Sequence, residues 1–159
     1  MKKQIRKIEP SYEVQILYKR PLYSSMPGIS TKYDAYNIMK DIIDANTIDH
    51  KEFFWVLLVN HSHRLLGYSE VGRGDNRSVI VNKKEIFQMV IKMNASGIIL
   101  CHNHPSGNLE PSMRDVEITK EIQKMAEVFS ISLLDHLIIT SEGFMSMICL
   151  LYTSDAADD

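Results

Sequence analysis

The sequence predicts an α/β domain in which helices pack on a mixed β-sheet. Three observations lead there. Short apolar runs rich in aromatic and β-branched residues, at 53–59 and 97–101, stand between polar stretches, as strands buried on both faces do. Segments with apolar residues at helical spacing lie between those runs. The two kinds of segment interleave along the chain, which favours a sheet covered by helices over an all-α or all-β domain.

Taken in order, residues 1–10 read as a solvated arm and 13–18 as a short strand. The stretch 21–29 holds Ser-Ser-Met-Pro-Gly and reads as a loop. Residues 1–29 therefore form an arm, a short strand and a loop ahead of the domain. Ser30 is the expected N-cap of a first helix, with Ala35, Ile38, Met39, Ile42 and Ile43 on its buried face. Strands follow at 53–59 and 65–71, joined by a turn at 60–63, and 72–76 reads as a loop. A third short strand is expected at 78–81. Asn82 then caps a helix carrying Ile86, Phe87, Val90 and Ile91 inward. The buried strand at 97–101 runs into a His-rich loop. A helix follows from about Met113, with Val116, Ile122, Met125 and Ala126 inward, and 131–140 with 144–150 reads as a hairpin. Periodicity leaves the order of the strands open.

The chain has 159 residues, 45% of them hydrophobic, which suits one domain with a real core. Charged residues make up 24%, and the formal net charge is -2, far from the basic excess of a protein that lives on a nucleic-acid backbone. The small basic group Arg73, Arg77, Lys83 and Lys84 reads as a solvated loop face. Two cysteines, Cys101 and Cys149, make neither a disulfide framework nor a cysteine-rich zinc site. The basic start lacks the apolar stretch of a signal peptide, and no run is long enough to span a bilayer, so the expected location is the cytoplasm.

The chemistry concentrates in 100–115, Leu-Cys-His-Asn-His-Pro-Ser-Gly-Asn-Leu-Glu-Pro-Ser-Met-Arg-Asp. His102 and His104 stand two apart at a strand end, so both leave it on one face. Pro105 holds His104 extended. The Ser-Gly-Asn turn reverses the chain, and a helix starting near Ser112 can return Asp115 to the two imidazoles. Two imidazoles and a carboxylate leave one position of a tetrahedral zinc open, as catalytic sites do. Ser112-x-x-Asp115 also fits a capping box that serves only the helix. His61 and His63 share the His-x-His spacing but sit in a turn with no third ligand nearby. Asp135 and His136 alternate on a strand, so only one can face the site, either to receive the other N–H of a ligand imidazole or as core polar pairing.

His102-x-His104-Pro105 followed by Ser112-x-x-Asp115 resembles the JAMM signature of the JAB1/MPN metalloprotease-like fold. The fuller string His102 to Gly107, with Leu134-Asp135-His136-Leu137-Ile138-Ile139, resembles the RadC branch of that fold. The likeness runs from about Ser30 to Gly143, within a domain placed at 30–150. It implies a JAB1/MPN (cytidine-deaminase-like) architecture with one Zn2+ per chain, held by His102, His104 and Asp115. It also implies a glutamate base on an earlier strand and a serine that stabilises the oxyanion. Ser112 matches that serine. Glu52, at the start of 53–59, matches the glutamate, and Glu70 in the next strand is the runner-up. The His-x-Glu and Pro-Cys-x-x-Cys of a zinc deaminase are missing. His-Asn-His here is not the HNH nuclease motif, whose named residues lie far apart in sequence.

Family members carry an upstream helical region that these residues do not include, so DNA binding resting on it is not carried over. The tail 151–159 departs from the family's ending and is expected to be disordered. The expectation is therefore a zinc-dependent hydrolase acting on a peptide or isopeptide-like amide in a peptide or protein substrate, without strong nucleic-acid binding. The alternative is a non-enzymatic accessory protein of DNA repair or of a mobile element.

Overall fold

The computed structural model describes residue 17, residues 19–75 and residues 79–148. The expected strand at 13–18, apart from residue 17, lies outside these, as do Arg77, Ser78, Cys149 and the tail 151–159. Among the described residues, three α-helices pack on one five-stranded mixed sheet. The elements are α1 (Lys32–Ile42), β1 (Phe53–Val59), β2 (Leu65–Arg73), α2 (Lys83–Lys92), β3 (Gly97–Asn103), α3 (Met113–Val128), β4 (Ser132–Ile139) and β5 (Phe144–Ser146). The strand order is β2-β1-β3-β4-β5. The β3–β4 pair is parallel, as the α3 crossover between them allows, and the other pairs are antiparallel.

All seven residues of β1, and all seven of β3, are buried. Their alternation builds two cores. Phe54, Val56, Leu58, Ile98 and Leu100 face α2 and α3, while Phe53, Trp55, Leu57, Ile99 and Cys101 face α1. Short, wholly apolar strands follow from this sandwiching. The expected inward positions of α1 are buried or half-buried against the second core.

Several boundaries differ from the sequence expectation. Thr31, not Ser30, caps α1: its hydroxyl accepts from the Asp34 N–H, and the Asp34 carboxylate accepts from the Ser30 and Thr31 N–H groups. β2 continues through Gly72 and Arg73, where a loop was expected. Residues 79–81 form no strand. They pass close beside β2, so that a Cβ on Gly72 would stand 2.7 Å from the Ile80 carbonyl oxygen. Ile91 is 49% exposed in the last turn of α2. Val116 is only half-buried, because Asp115 and Thr119 hold the inward positions of the first turns of α3. No helix among the described residues is long and apolar enough to cross a membrane.

Candidate metal centre

Four side chains converge where β3 ends and α3 begins. Glu52, His102, His104 and Asp115 each offer a ligand atom, and these atoms lie within 4.8 Å of one another. Register explains how they meet. Phe54 of β1 pairs with His102 of β3, and their rings stack with centroids 5.6 Å apart. Glu52 stands two residues before Phe54 and so falls on the same face as His102. His104, two residues beyond His102, keeps that face because its N–H continues the parallel ladder, bonding the Ile139 carbonyl at 3.0 Å.

Glu70 is placed elsewhere. It pairs with Trp55, whose side chain belongs to the α1 side of the sheet, and its carboxylate accepts from Arg73 Nε at 2.8 Å. His61 and His63 are exposed in their turn, away from the cluster. Lys83 is paired with Glu121, and Arg73 with Glu70, so these two basic residues already have acidic partners.

Local structure holds each member in place. The chain after Pro105 turns back so that the Gly107 N–H bonds the His104 carbonyl at 3.1 Å. Gly107 has φ +83°, a conformation that suits glycine. The turn brings the Asn108 carbonyl 2.7 Å from His104 Nδ1. A carbonyl only accepts, so Nδ1 carries the proton and, in the neutral ring, Nε2 keeps its lone pair. Asp115 sits in a capping box: Ser112 Oγ accepts from the Asp115 N–H at 3.1 Å, and Asp115 Oδ2 accepts from the Ser112 N–H at 2.7 Å. The cap and the cluster are not alternatives. The same carboxylate lies 3.2 Å from His102 Nε2 through Oδ1 and 3.4 Å from His104 Nε2 through Oδ2.

Electrostatics separate the members. Burial pushes the Glu52 carboxyl up, with His104 pulling against it and Asp115 and Asp75 adding to it. Burial would also raise Asp115, but the neighbouring His102 and His104 rings and the Ser112 N–H hold it far below the usual carboxylate range. Burial lowers His102. It opposes the rise at His104, where the Asp115 carboxylate and the Asn108 carbonyl prevail and raise it. An anionic Asp115 beside two imidazole nitrogens is a donor set of the kind that borderline divalent metals accept.

A groove of about 410 Å³ opens over the cluster, lined by Glu52, His104, Ser112, Arg114 and Asp115 and floored by apolar Phe54 and Ile118. Ser112 is exposed there, and its hydroxyl serves α3 only as an acceptor.

Two buried contributors escaped the sequence reading. Asn103, between the two histidines, faces the α1 side. Its Nδ2 donates to the Ile48 and Lys51 carbonyls, each at 2.7 Å, and its Oδ1 accepts from the Phe53 N–H at 2.8 Å. It thereby clamps the segment that carries Glu52. Thr119 lies one turn beyond Asp115, and its Oγ1 is 2.5 Å from the Asp115 carbonyl and 2.6 Å from His136 Nδ1. The i+4 spacing from Asp115 was the available signal. His136 faces the site, with Nε2 2.8 Å from His102 Nδ1, while Asp135 points away and accepts from Ser146 Oγ.

Residues 29–150 match the family model of the RadC-like JAB domain. The chain is 39% identical over 120 residues to a UPF0758 protein of Flavobacterium johnsoniae, covering 76% of this chain and 51% of that protein. It is 35% identical over 127 residues to one of Thermosynechococcus vestitus, covering 79% and 51%. It is also 43% identical over 97 residues to one of Clostridium kluyveri, covering 61% and 42%. The chain thus spans about half the length of the curated relatives it matches.

Proposed function

The chain belongs to the RadC-like JAB domain family, and from that premise we propose that it is a zinc-dependent hydrolase of peptide or isopeptide-like amide bonds in a protein or peptide substrate. What supports this most is the convergence of Glu52 with His102, His104 and Asp115 under an open groove. A purely structural metal site needs closed coordination by its ligands and has no use for a further carboxylate facing a groove.

His102, His104 and Asp115 would hold the ion. When bound, zinc supplies Lewis acidity, polarising a carbonyl and bringing the pKa of water to about 7. The chain's own residues do the rest. Glu52, as the carboxylate, accepts a proton from the attacking water and returns it to the departing amine. The Ser112 hydroxyl donates to the carbonyl oxygen as negative charge develops on it. The Asp115 carboxylate accepts from the Ser112 N–H throughout.

Metal analysis of the purified protein with an unbiased screen of amide substrates tests this proposal. About one zinc per chain is expected, and Asp115→Ala should release it. Glu52→Gln should keep the zinc and lose about 10²–10⁴-fold in turnover. Glu70→Gln, altered on the other side of the sheet, should change neither. Zinc retention without turnover on any amide would favour the non-enzymatic accessory role instead.

A further inference from the structure

We propose that Thr119 and His136 are positioning residues that fix the tautomer of His102, so that its Nε2 presents a lone pair to the metal. This rests on the metal reading above, but the wiring is a property of the protein itself. It follows from which atoms can carry a proton. The Asp115 carbonyl only accepts, and Thr119 Oγ1 lies 2.5 Å from it, so the hydroxyl proton must lie between them. Thr119 Oγ1 then has only lone pairs to offer His136 Nδ1 at 2.6 Å, so His136 donates from Nδ1. In a neutral ring His136 Nε2 must therefore accept. Its partner at 2.8 Å is His102 Nδ1, which must carry the proton. His102 Nε2 is left unprotonated, facing Asp115 Oδ1 at 3.2 Å and His104 Nε2 at 2.9 Å.

The relay starts and ends on Asp115. Its backbone carbonyl anchors the chain of hydrogen bonds, and its carboxylate meets the nitrogen that the chain frees. Thr119 is one helical turn on, so the first two turns of α3 set both at once. His102, Thr119 and His136 are all 0% exposed, so water does not compete for any link. Phe54 stacks on the His102 ring and meets His136 edge-on at 5.3 Å, sealing the pair from the core side. Two imidazole lone pairs 2.9 Å apart repel unless a cation or proton lies between them. The Asn108 carbonyl on His104 and the relay on His102 create that demand from opposite sides.

Zinc titration of the whole chain against a competing chelator tests the proposal, with metal-free thermal melting as the control for folding. His136→Leu and Thr119→Val remove the acceptor and the hydroxyl. Each should weaken zinc binding about 10–100-fold, the usual scale for partners of ligand imidazoles. His136→Gln and Thr119→Ser keep an acceptor and a hydroxyl, and should recover most of the affinity. Unchanged zinc affinity in a folded Thr119→Val protein, whose shape is conserved, would overturn the relay while leaving the metal site standing. Ring-nitrogen NMR of the metal-free wild type decides independently of any variant. His102 protonated at Nδ1 is the expected result, and protonation at Nε2 would overturn the relay. A wild type that binds no zinc but shows the Nδ1 proton would defeat the metal reading and uphold the wiring.

Discussion

Glu52 is buried at a cost to the fold. Its carboxyl is pushed up first by burial. A raised carboxyl contributes stability while it is protonated, fully below its ordinary value, and that contribution is lost as pH rises through the raised value. Above that raised value the metal-free protein carries a buried charge that Glu52→Gln removes. The variant should melt higher than wild type at about pH 7, with the gap closing toward acid pH, in melts run with chelator. A variant that melts lower at neutral pH would contradict this. His102, His104 and Asp115 were legible as a group because they lie within one short stretch whose Pro and Gly shape the loop. Glu52 is about fifty residues away and was reached through family resemblance alone. Its face relative to His102 depends on the Phe54–His102 register, which no local pattern encodes. Thr119 was hidden for a different reason: a buried threonine on an inward helix position looks like any other core residue until its partners are known.

Among the elements, β3 does two jobs through simple alternation. His102 faces the metal centre, and Asn103 faces α1, where it satisfies three backbone groups of the 48–53 segment. Asn103→Ala would leave those groups unpaired in a buried place, at roughly 1–3 kcal/mol for each group that water cannot reach. Chemical denaturation should show the loss. Turnover should fall as well, since Glu52 hangs from the clamped segment, while zinc affinity should change little because His102, His104 and Asp115 are held elsewhere. Equal loss of zinc would mean that the clamp orients β3 rather than Glu52. Helices were readable from their apolar period, and the buried strands from short, continuous apolar runs bounded by polar residues. The misses fall at edges. The β-branched letters of 79–81, Val-Ile-Val, read like a strand, but the segment runs beside β2 without joining its ladder, and Val79 packs into the α2–α3 core. Ser30 and Thr31 are both good caps, and the choice fell to Thr31 because Asp34 stands three residues after it.

For the molecule as a whole, the α/β class followed from the interleaving of apolar runs and helical periods, whereas strand order is a long-range outcome that periodicity does not carry. The mixed charge sums to -2, so the chain offers no broad cationic field for a phosphate backbone. Weak, unspecific binding to duplex DNA is expected in anisotropy titrations at physiological salt, and tight sequence-selective binding would overturn it. The metal should matter more to the fold than any such partner. His102 lies near the end of β3, His104 in the following loop and Asp115 in the first turn of α3, so one ion at the cluster would tie together parts that separate on unfolding. An ion that binds only the folded chain stabilises it by about 2.7 kcal/mol at a hundred times its Kd. For a domain of this length that corresponds to a rise in Tm of roughly 5–11 °C. Adding zinc to chelator-treated protein should produce that rise, and renewed chelator should reverse it. Asp115→Ala should lose most of the shift, because it removes the one anionic ligand that joins α3 to the two imidazoles. Glu52→Gln should keep the shift, because Glu52 is assigned to the proton rather than to the ion. If Glu52→Gln abolishes the shift and Asp115→Ala does not, the two carboxylates have exchanged roles: Asp115 would then serve only the cap of α3, and Glu52 would complete the metal site.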